Sequence, residues 1–255
     1  MAYGESHRID VEGATLYVEV DGPEGAPAVF MWNGAQCTTH MWDLVVPELS
    51  DRFRVIRMDV RGTGQSTPAE SEDQYTFEQY ADDAVTVLHH FGYEKSIVWS
   101  MAWGSRAAVV YAARHPERVQ VLALYDASVG RADVAAQREG REKAFTAQAA
   151  EGIAPIERPE GWNNNVHKDA TNKALAAALR FDNLPGELAK ITAPTMVSTG
   201  DYDPNIVSSR EIAAGIPGAR LTVMKNVGHG SILQRPDLAT QLFLSFVDEH
   251  RARFE

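Results

Sequence analysis

Short, largely apolar runs ending in polar loops alternate along this chain with segments of helical period, and that alternation leaves few folds open. Pro27–Trp32, Arg54–Met58, Ser96–Trp99, Val121–Tyr125, Thr195–Thr199 and Arg220–Met224 read as strands of a sheet covered on both faces. Upstream, His7–Glu12 and Thr15–Val20 alternate in polarity around Glu12-Gly13, which predicts a hairpin. Between the runs, Thr76–His89 sets Phe77, Tyr80, Ala81, Ala84, Val85 and Leu88 at helical spacing. Thr76 with Gln79 forms a capping pattern at its start, and Gly92 follows its end. Trp103–Arg114, Ile206–Ala214 and Pro236–Arg251 read as further helices, and Met41–Leu49 as a short one. Strands and helices in this order predict an α/β fold around a parallel sheet.

One stretch departs from the alternation. Residues 127–192 carry helical segments at about 132–150 and 168–179, interrupted by Gly161-Trp162-Asn163-Asn164-Asn165, and no convincing strand. A helical insertion between two strands of a parallel sheet predicts a small lid over the strand ends, where α/β proteins bind ligands. The expected organisation is a core of 1–126 and 193–255 with a lid of 127–192.

Composition excludes several classes of function. The 255 residues hold 24 Lys+Arg against 35 Asp+Glu, a formal net charge of −11, so neither nucleic acid nor an anionic membrane is the expected partner. One cysteine, Cys37, cannot form an internal disulfide, the start MAYGESHRID does not read as a signal peptide, and no apolar run would span a bilayer. The expectation is a cytoplasmic protein acting on a small molecule, with a homodimer left open. No glycine-rich phosphate loop or metal-ligand cluster is evident, so neither cofactor nor metal is expected.

Four loops after strands carry the candidate chemistry. In Ser100-Met101-Ala102-Trp103-Gly104-Ser105 the small residues flank Ala102, which places it at the apex of a sharp strand-to-helix turn. A nucleophile belongs at that apex, and a methyl group cannot serve. Ser100 is a poor substitute, because it would move the apex back to where Val98 fits a strand. His229, in Val227-Gly228-His229-Gly230, is the candidate general base. In Thr199-Gly200-Asp201-Tyr202-Asp203-Pro204 one aspartate would orient the imidazole and the other would serve the turn, with Asp126 as a backup acid. Backbone N–H groups after Trp32-Asn33-Gly34, with that of Trp103, would form an oxyanion hole. His40 and His167 stand as further pocket candidates. The aromatic residues Trp32, Trp103, Phe145 and Trp162 are candidates for the pocket wall.

Taken together, these segments resemble the α/β-hydrolase family over nearly the whole chain. Ser100–Ser105 through His115-Pro116-Glu117-Arg118-Val119 is similar to the family's elbow, helix and tail. Asp59-Val60-Arg61-Gly62-Thr63-Gly64-Gln65-Ser66 resembles its DxRGxGxS loop, and Gly228-His229 its GH pair. Gly200–Asp203 resembles GxxD, which selects Asp203 as the acid. Asn33-Gly34 stands at the usual His-Gly place, with asparagine for histidine, and Met41-Trp42 follows at the usual distance. The resemblance implies a mostly parallel eight-stranded sheet with helices on both faces. It implies a site of residue 102 as nucleophile, His229 as base, Asp203 as acid, and Ala35 and Trp103 as oxyanion donors. Asn33, Gly34, Trp32, Phe145 and Trp162 would line the substrate pocket. The small lid and the Met41-Trp42-Asp43 run are most similar to small esterases and lactonases of the 3-oxoadipate enol-lactonase type. The Trp-Gly-Ser after the apex is also similar to proline iminopeptidases, whose HGGPG loop and larger lid this chain lacks. A tryptophan directly after the apex also occurs in haloalkane dehalogenases and epoxide hydrolases, whose nucleophile is aspartate.

Ala102 admits three readings. The chain is a serine hydrolase inactivated by a serine-to-alanine exchange that still binds its ester or lactone. Alternatively it is a ligand receptor on the same fold, or an enzyme whose His-Asp dyad abstracts a proton without a covalent step, as in cofactor-free dioxygenases or lyases.

Overall fold

The computed structural model describes residues 4–181 and 183–254; residues 1–3, 182 and 255 of the expected core and lid lie outside the described residues. Eight strands form one sheet: β1 (Glu5–Val11), β2 (Ala14–Asp21), β3 (Ala28–Trp32), β4 (Arg54–Met58), β5 (Ser96–Met101), β6 (Val119–Tyr125), β7 (Thr195–Gly200) and β8 (Arg220–Met224). Their spatial order is β1-β2-β4-β3-β5-β6-β7-β8. β1 pairs with β2, and β2 with β4, antiparallel; every other pair is parallel. The predicted hairpin forms, with Gly13 at φ 72° in the turn.

The helices are α1 (Phe77–His90), α2 (Trp103–Arg114), α3 (Val134–Ala150), α4 (Lys168–Leu175), α5 (Ala177–Arg180), α6 (Leu184–Leu188), α7 (Ile206–Gly215), α8 (Ser231–Gln234) and α9 (Pro236–Glu249). The Thr76 hydroxyl caps α1 by accepting from the Gln79 N–H at 3.1 Å, as the capping pattern predicts. No helix among the described residues is long and apolar enough to cross a membrane.

The sheet divides two apolar cores by strand alternation. From β3, Phe30 and Trp32 join residues of α1 and α2 in one core. Val29 and Met31 join Trp42, Trp99 and Phe243 in the other, where Trp99 stacks on Phe243 at 4.1 Å. α3, α4, α5 and α6 lie in the chain between β6 and β7.

Met41–Leu49 does not form the expected helix. It folds as two short 3-10 turns, Thr39–Trp42 and Val46–Glu48. Pro47 explains the difference: lacking an N–H and clashing with the carbonyl of residue 43, it stops an α-helix from running through.

Candidate active site

Parallel register brings the four loops to one edge. Trp32 lies beside Ser100, Met101 beside Tyr125, Tyr125 beside Ser198, and Gly200 beside Met224. The chain segments that leave β3, β5, β6, β7 and β8 therefore emerge together, where a doubly covered sheet holds its ligands.

The turn between β5 and α2 has Ala102 at its apex, with φ 53° and ψ −112°. That conformation costs a non-glycine residue on the order of 1–3 kcal/mol and needs a frame to impose it. The Ala102 N–H donates to the Tyr125 carbonyl at 2.7 Å, and its carbonyl accepts from the Ser105 N–H at 3.0 Å. The Ser105 hydroxyl donates to the Tyr125 carbonyl at 3.0 Å. Ser100 is fully buried, its hydroxyl bonded to Ser105 Oγ at 3.0 Å and to the Ala123 carbonyl at 3.1 Å, which removes it from any exposed chemistry. Gly104 allows the close approach of α2 to β3: a Cβ there would lie 2.3 Å from the Asn33 carbonyl oxygen.

His229 follows Gly228 and precedes Gly230, whose φ of 89° only glycine adopts readily. Its Nδ1 lies 3.0 Å from Asp203 Oδ2. The other Asp203 oxygen accepts from the Asn205 N–H at 2.9 Å. Asp201 has the turn role instead, its Oδ1 accepting from the Val227 N–H at 3.1 Å. Burial alone would lower the basicity of His229, but the hydrogen bond and charge of Asp203, with the charge of Asp126, outweigh it and raise the imidazole above its ordinary value. With Nδ1 on a carboxylate, Nε2 is the nitrogen left for a substrate.

Asp126 lies at the end of β6 with φ 53° and is fully buried. Its Oδ2 accepts from the N–H groups of Gly230 and Ser231 at 3.0 and 2.7 Å, which fixes the chain just after His229. Burial, and then the nearby Asp203 charge, push its carboxyl up to about 7. One ligand atom from each of Asp126, Asp203 and His229 falls within 4.8 Å of the others, a spacing a divalent cation could use. Asp203 Oδ2 already holds the imidazole, and Asp126 Oδ2 the loop that follows it.

Ala35, Ala102, Trp103 and His229 share one cavity of about 360 Å³. Trp103 opens α2, so its N–H has no partner within the helix. Neither that N–H nor the N–H of Ala35 donates to another described residue. Arg106, Gln137 and Asn205 give the cavity polar lining, and Val134, Leu175 and Leu179 apolar lining. These six were not identified from the sequence, although Arg106 lies one helical turn beyond Ala102 and that spacing could have indicated it.

The remaining expected pocket residues are placed elsewhere. Trp32 points into the α1–α2 core, packing on Phe30 and Tyr111 with ring centroids 5.4 and 6.3 Å away, because strand alternation sends it there. Asn33 is buried with its amide nitrogen on the Met58 carbonyl at 3.0 Å and Asp59 Oδ1 at 3.1 Å, while its oxygen accepts from Trp42 Nε1 at 2.8 Å. Gly34 is packed against the Met101 methyl, which a Cβ would meet at 2.5 Å. Phe145 is half-buried and off the stripe of α3 that faces inward, Gln137, Gly140, Ala144 and Gln148. Trp162 lies under the Arg158 guanidinium, 4.5 Å from its ring centroid. None of the five lines the cavity of Ala102 and His229. His40 bonds Asp43 at 3.1 Å, beside the buried Arg57, and His167 is exposed just before α4.

Residues 27–173 match the α/β-hydrolase fold family. Among curated proteins, the chain is 28% identical to the AB hydrolase superfamily protein YisY of Bacillus subtilis, over 92% of this chain and 96% of that protein. It is 26% identical to 3-oxoadipate enol-lactonase 1 of Acinetobacter baylyi, over 92% of this chain and 94% of that one. A proline iminopeptidase of Neisseria gonorrhoeae is 32% identical over a shorter stretch, 62% of this chain and 48% of that protein. Among solved structures, the enol-lactonase from Burkholderia xenovorans LB400 superposes with a TM-score of 0.79 at 24% identity, covering 95% of this chain and 100% of that one. With the sheet order, the apex turn and the His229–Asp203 pair already in place, this chain belongs to the α/β-hydrolase fold family.

Proposed function

We propose that this chain carries the binding site of an ester or lactone hydrolase whose nucleophile position is occupied by Ala102. One observation carries the reading: a His229–Asp203 pair at 3.0 Å shares a cavity with a strained apex residue and with two backbone N–H groups that donate to no other described residue. Two similar proteins are named as enol-lactonases, which supports a lactone or ester, although proline iminopeptidases are similar as well.

With serine at 102 the chemistry follows the usual order. The hydroxyl oxygen bonds to the carbonyl carbon while His229 Nε2 takes its proton. The Ala35 and Trp103 N–H groups hold the oxyanion, each worth roughly 2.7–4 kcal/mol of the barrier. The imidazolium returns the proton to the leaving oxygen as the carbon–oxygen bond breaks. Water then hydrolyses the acyl ester through the same two proton transfers. The insertion acts as the lid, since Val134, Gln137, Leu175 and Leu179 bring its helices to the cavity. With alanine at 102 the covalent route is closed, and ligand binding and an imidazole base remain.

Ala102→Ser tests this. We expect saturable turnover of p-nitrophenyl esters or simple lactones, none of proline p-nitroanilide, and loss of turnover on adding His229→Ala. A folded Ala102→Ser variant inert across the ester and lactone panel overturns the reading.

The intact His229–Asp203 pair beside a methyl group at 102 supports a second reading, proton abstraction by the dyad alone, because that chemistry needs no side chain at 102. It predicts His229-dependent oxygen uptake or elimination by the unaltered chain with an acidic heteroaromatic substrate.

A further inference from the structure

The turn that presents Ala35 is gripped by a part of the insertion that the proposed chemistry does not use. Gly34–Cys37 is a β-turn closed by the Cys37 N–H donating to the Gly34 carbonyl at 3.0 Å. Gln36, its third residue, has φ 60°, where such turns place glycine or asparagine. A glutamine held there needs outside support. That support comes from Asn165, 129 residues away, whose Nδ2 donates to the Gln36 carbonyl at 2.8 Å. Its Oδ1 accepts from the Gly64 N–H at 2.7 Å, so the amide bridges two loops of the core and its orientation is fixed by both. The clasp continues on either side. The Val166 N–H donates to the Gly64 carbonyl at 3.0 Å, and the Thr38 N–H to the Trp162 carbonyl at 2.8 Å. The Thr38 hydroxyl donates to the Gly161 carbonyl at 2.8 Å. Asn165 thus carries the side-chain hydrogen bond from the Gly161–Val166 segment to the strained residue next to Ala35.

We infer that Asn165 is a positioning residue: it holds Gln36 in its left-handed conformation and thereby fixes the turn that aims the Ala35 N–H into the cavity. Its role in catalysis rests on the reading of Ala35 as an oxyanion donor; its role in the turn does not. If Asn165 only supplied general stability, relieving the strain at Gln36 would not compensate for its loss. If it holds Gln36, glycine at 36 would.

The experiment has two readouts. In the unaltered chain, amide hydrogen exchange at Cys37 reports whether the turn is closed. Asn165→Ala should speed it about tenfold, with β3 amides unchanged, and adding Gln36→Gly should return it to near the parent rate. Asn165→Asp, which keeps the acceptor for Gly64 but loses the donor to Gln36, should behave as Asn165→Ala does and serves if the alanine variant does not fold. In the Ala102→Ser background, Asn165→Ala should lower kcat about 10- to 100-fold, less than outright loss of a donor, with KM nearly constant, and Gln36→Gly should recover it. Parent-like exchange at Cys37 in both Asn165 variants overturns the inference, as does faster exchange that Gln36→Gly fails to correct. Should Ala102→Ser be inert, the hydrolase reading fails while the exchange measurement still decides the role of Asn165.

Discussion

Replacing Gly104 with alanine should damage the apex turn, although alanine is the better helix former. A Cβ at 104 would lie 2.3 Å from the Asn33 carbonyl oxygen and 2.7 Å from that of Trp32. Both are backbone atoms at the end of β3, which is hydrogen-bonded to β4 on one side and β5 on the other and has nowhere to go. The start of α2 must lift instead, pulling on the 2.7 Å bond from the Ala102 N–H to the Tyr125 carbonyl. Overpacking of this kind costs about 1–3 kcal/mol or somewhat more, and a strained backbone bond adds about 1. The better helix propensity of alanine returns about 1 kcal/mol. The net destabilisation is roughly 1–3 kcal/mol, a fall in Tm of about 2–12 °C for a domain of this size. Gly130→Ala, where a Cβ would meet nothing within 4 Å, is the control and should stay within about 0.5 kcal/mol. Thermal melts followed by circular dichroism, with urea midpoints alongside, measure both. A Gly104→Ala protein that melts at or above the parent temperature would refute the close approach of α2 to β3.

Asp203→Asn should lower the midpoint of His229 in an NMR titration, because the hydrogen bond and charge that outweigh its burial are gone; an unchanged or higher midpoint would contradict this. The sign for stability follows. A raised imidazole favours the folded state below about 6.5 and loses that contribution as pH rises through the folded value, so Asp203→Asn should flatten this part of the profile. Burial likewise raises the Asp126 and Asp59 carboxyls to about 7. The folded state then holds protons that the unfolded chain releases near pH 4, so stability from these groups falls as pH climbs from about 4 to 7. Calorimetric melts should show a shallower decline over that window in Asp126→Asn, and an identical slope would count against the assignment.

The strands and most helices of this fold are legible in the sequence because they obey local rules. The buried runs of β3 to β7, the Thr76 cap and the small residues around Ala102 each reflect a constraint acting within a few residues. Asp203, His229 and Ala102 sit at strand ends for the same reason, and parallel register brings those ends together. The cavity wall obeys no such rule. Arg106, Gln137 and Leu175 come from three helices and Asn205 from the loop before α7, and they meet only through tertiary packing. Aromatic content misleads there: Trp32 is claimed by the core on the far side of its strand, and Asn33 by the buried carboxylate of Asp59. Asp126 reads as a spare acid, yet its contacts are to the Gly230 and Ser231 amides rather than to the imidazole. Asn165 has no local signal beyond the run of asparagines that interrupts the helices, because its partners lie about a hundred residues upstream.

Covalent labelling reads most directly whether the side chain at 102 faces His229 with the Ala35 and Trp103 amides opposite. Incubating Ala102→Ser with a fluorophosphonate and weighing the intact protein should give a single adduct, mapped by peptide sequencing to residue 102. The unaltered chain should gain none, and Ala102→Ser with His229→Ala should gain it far more slowly. A folded Ala102→Ser protein that stays unlabelled, or one labelled at Ser100 or Ser105 instead, would contradict the arrangement.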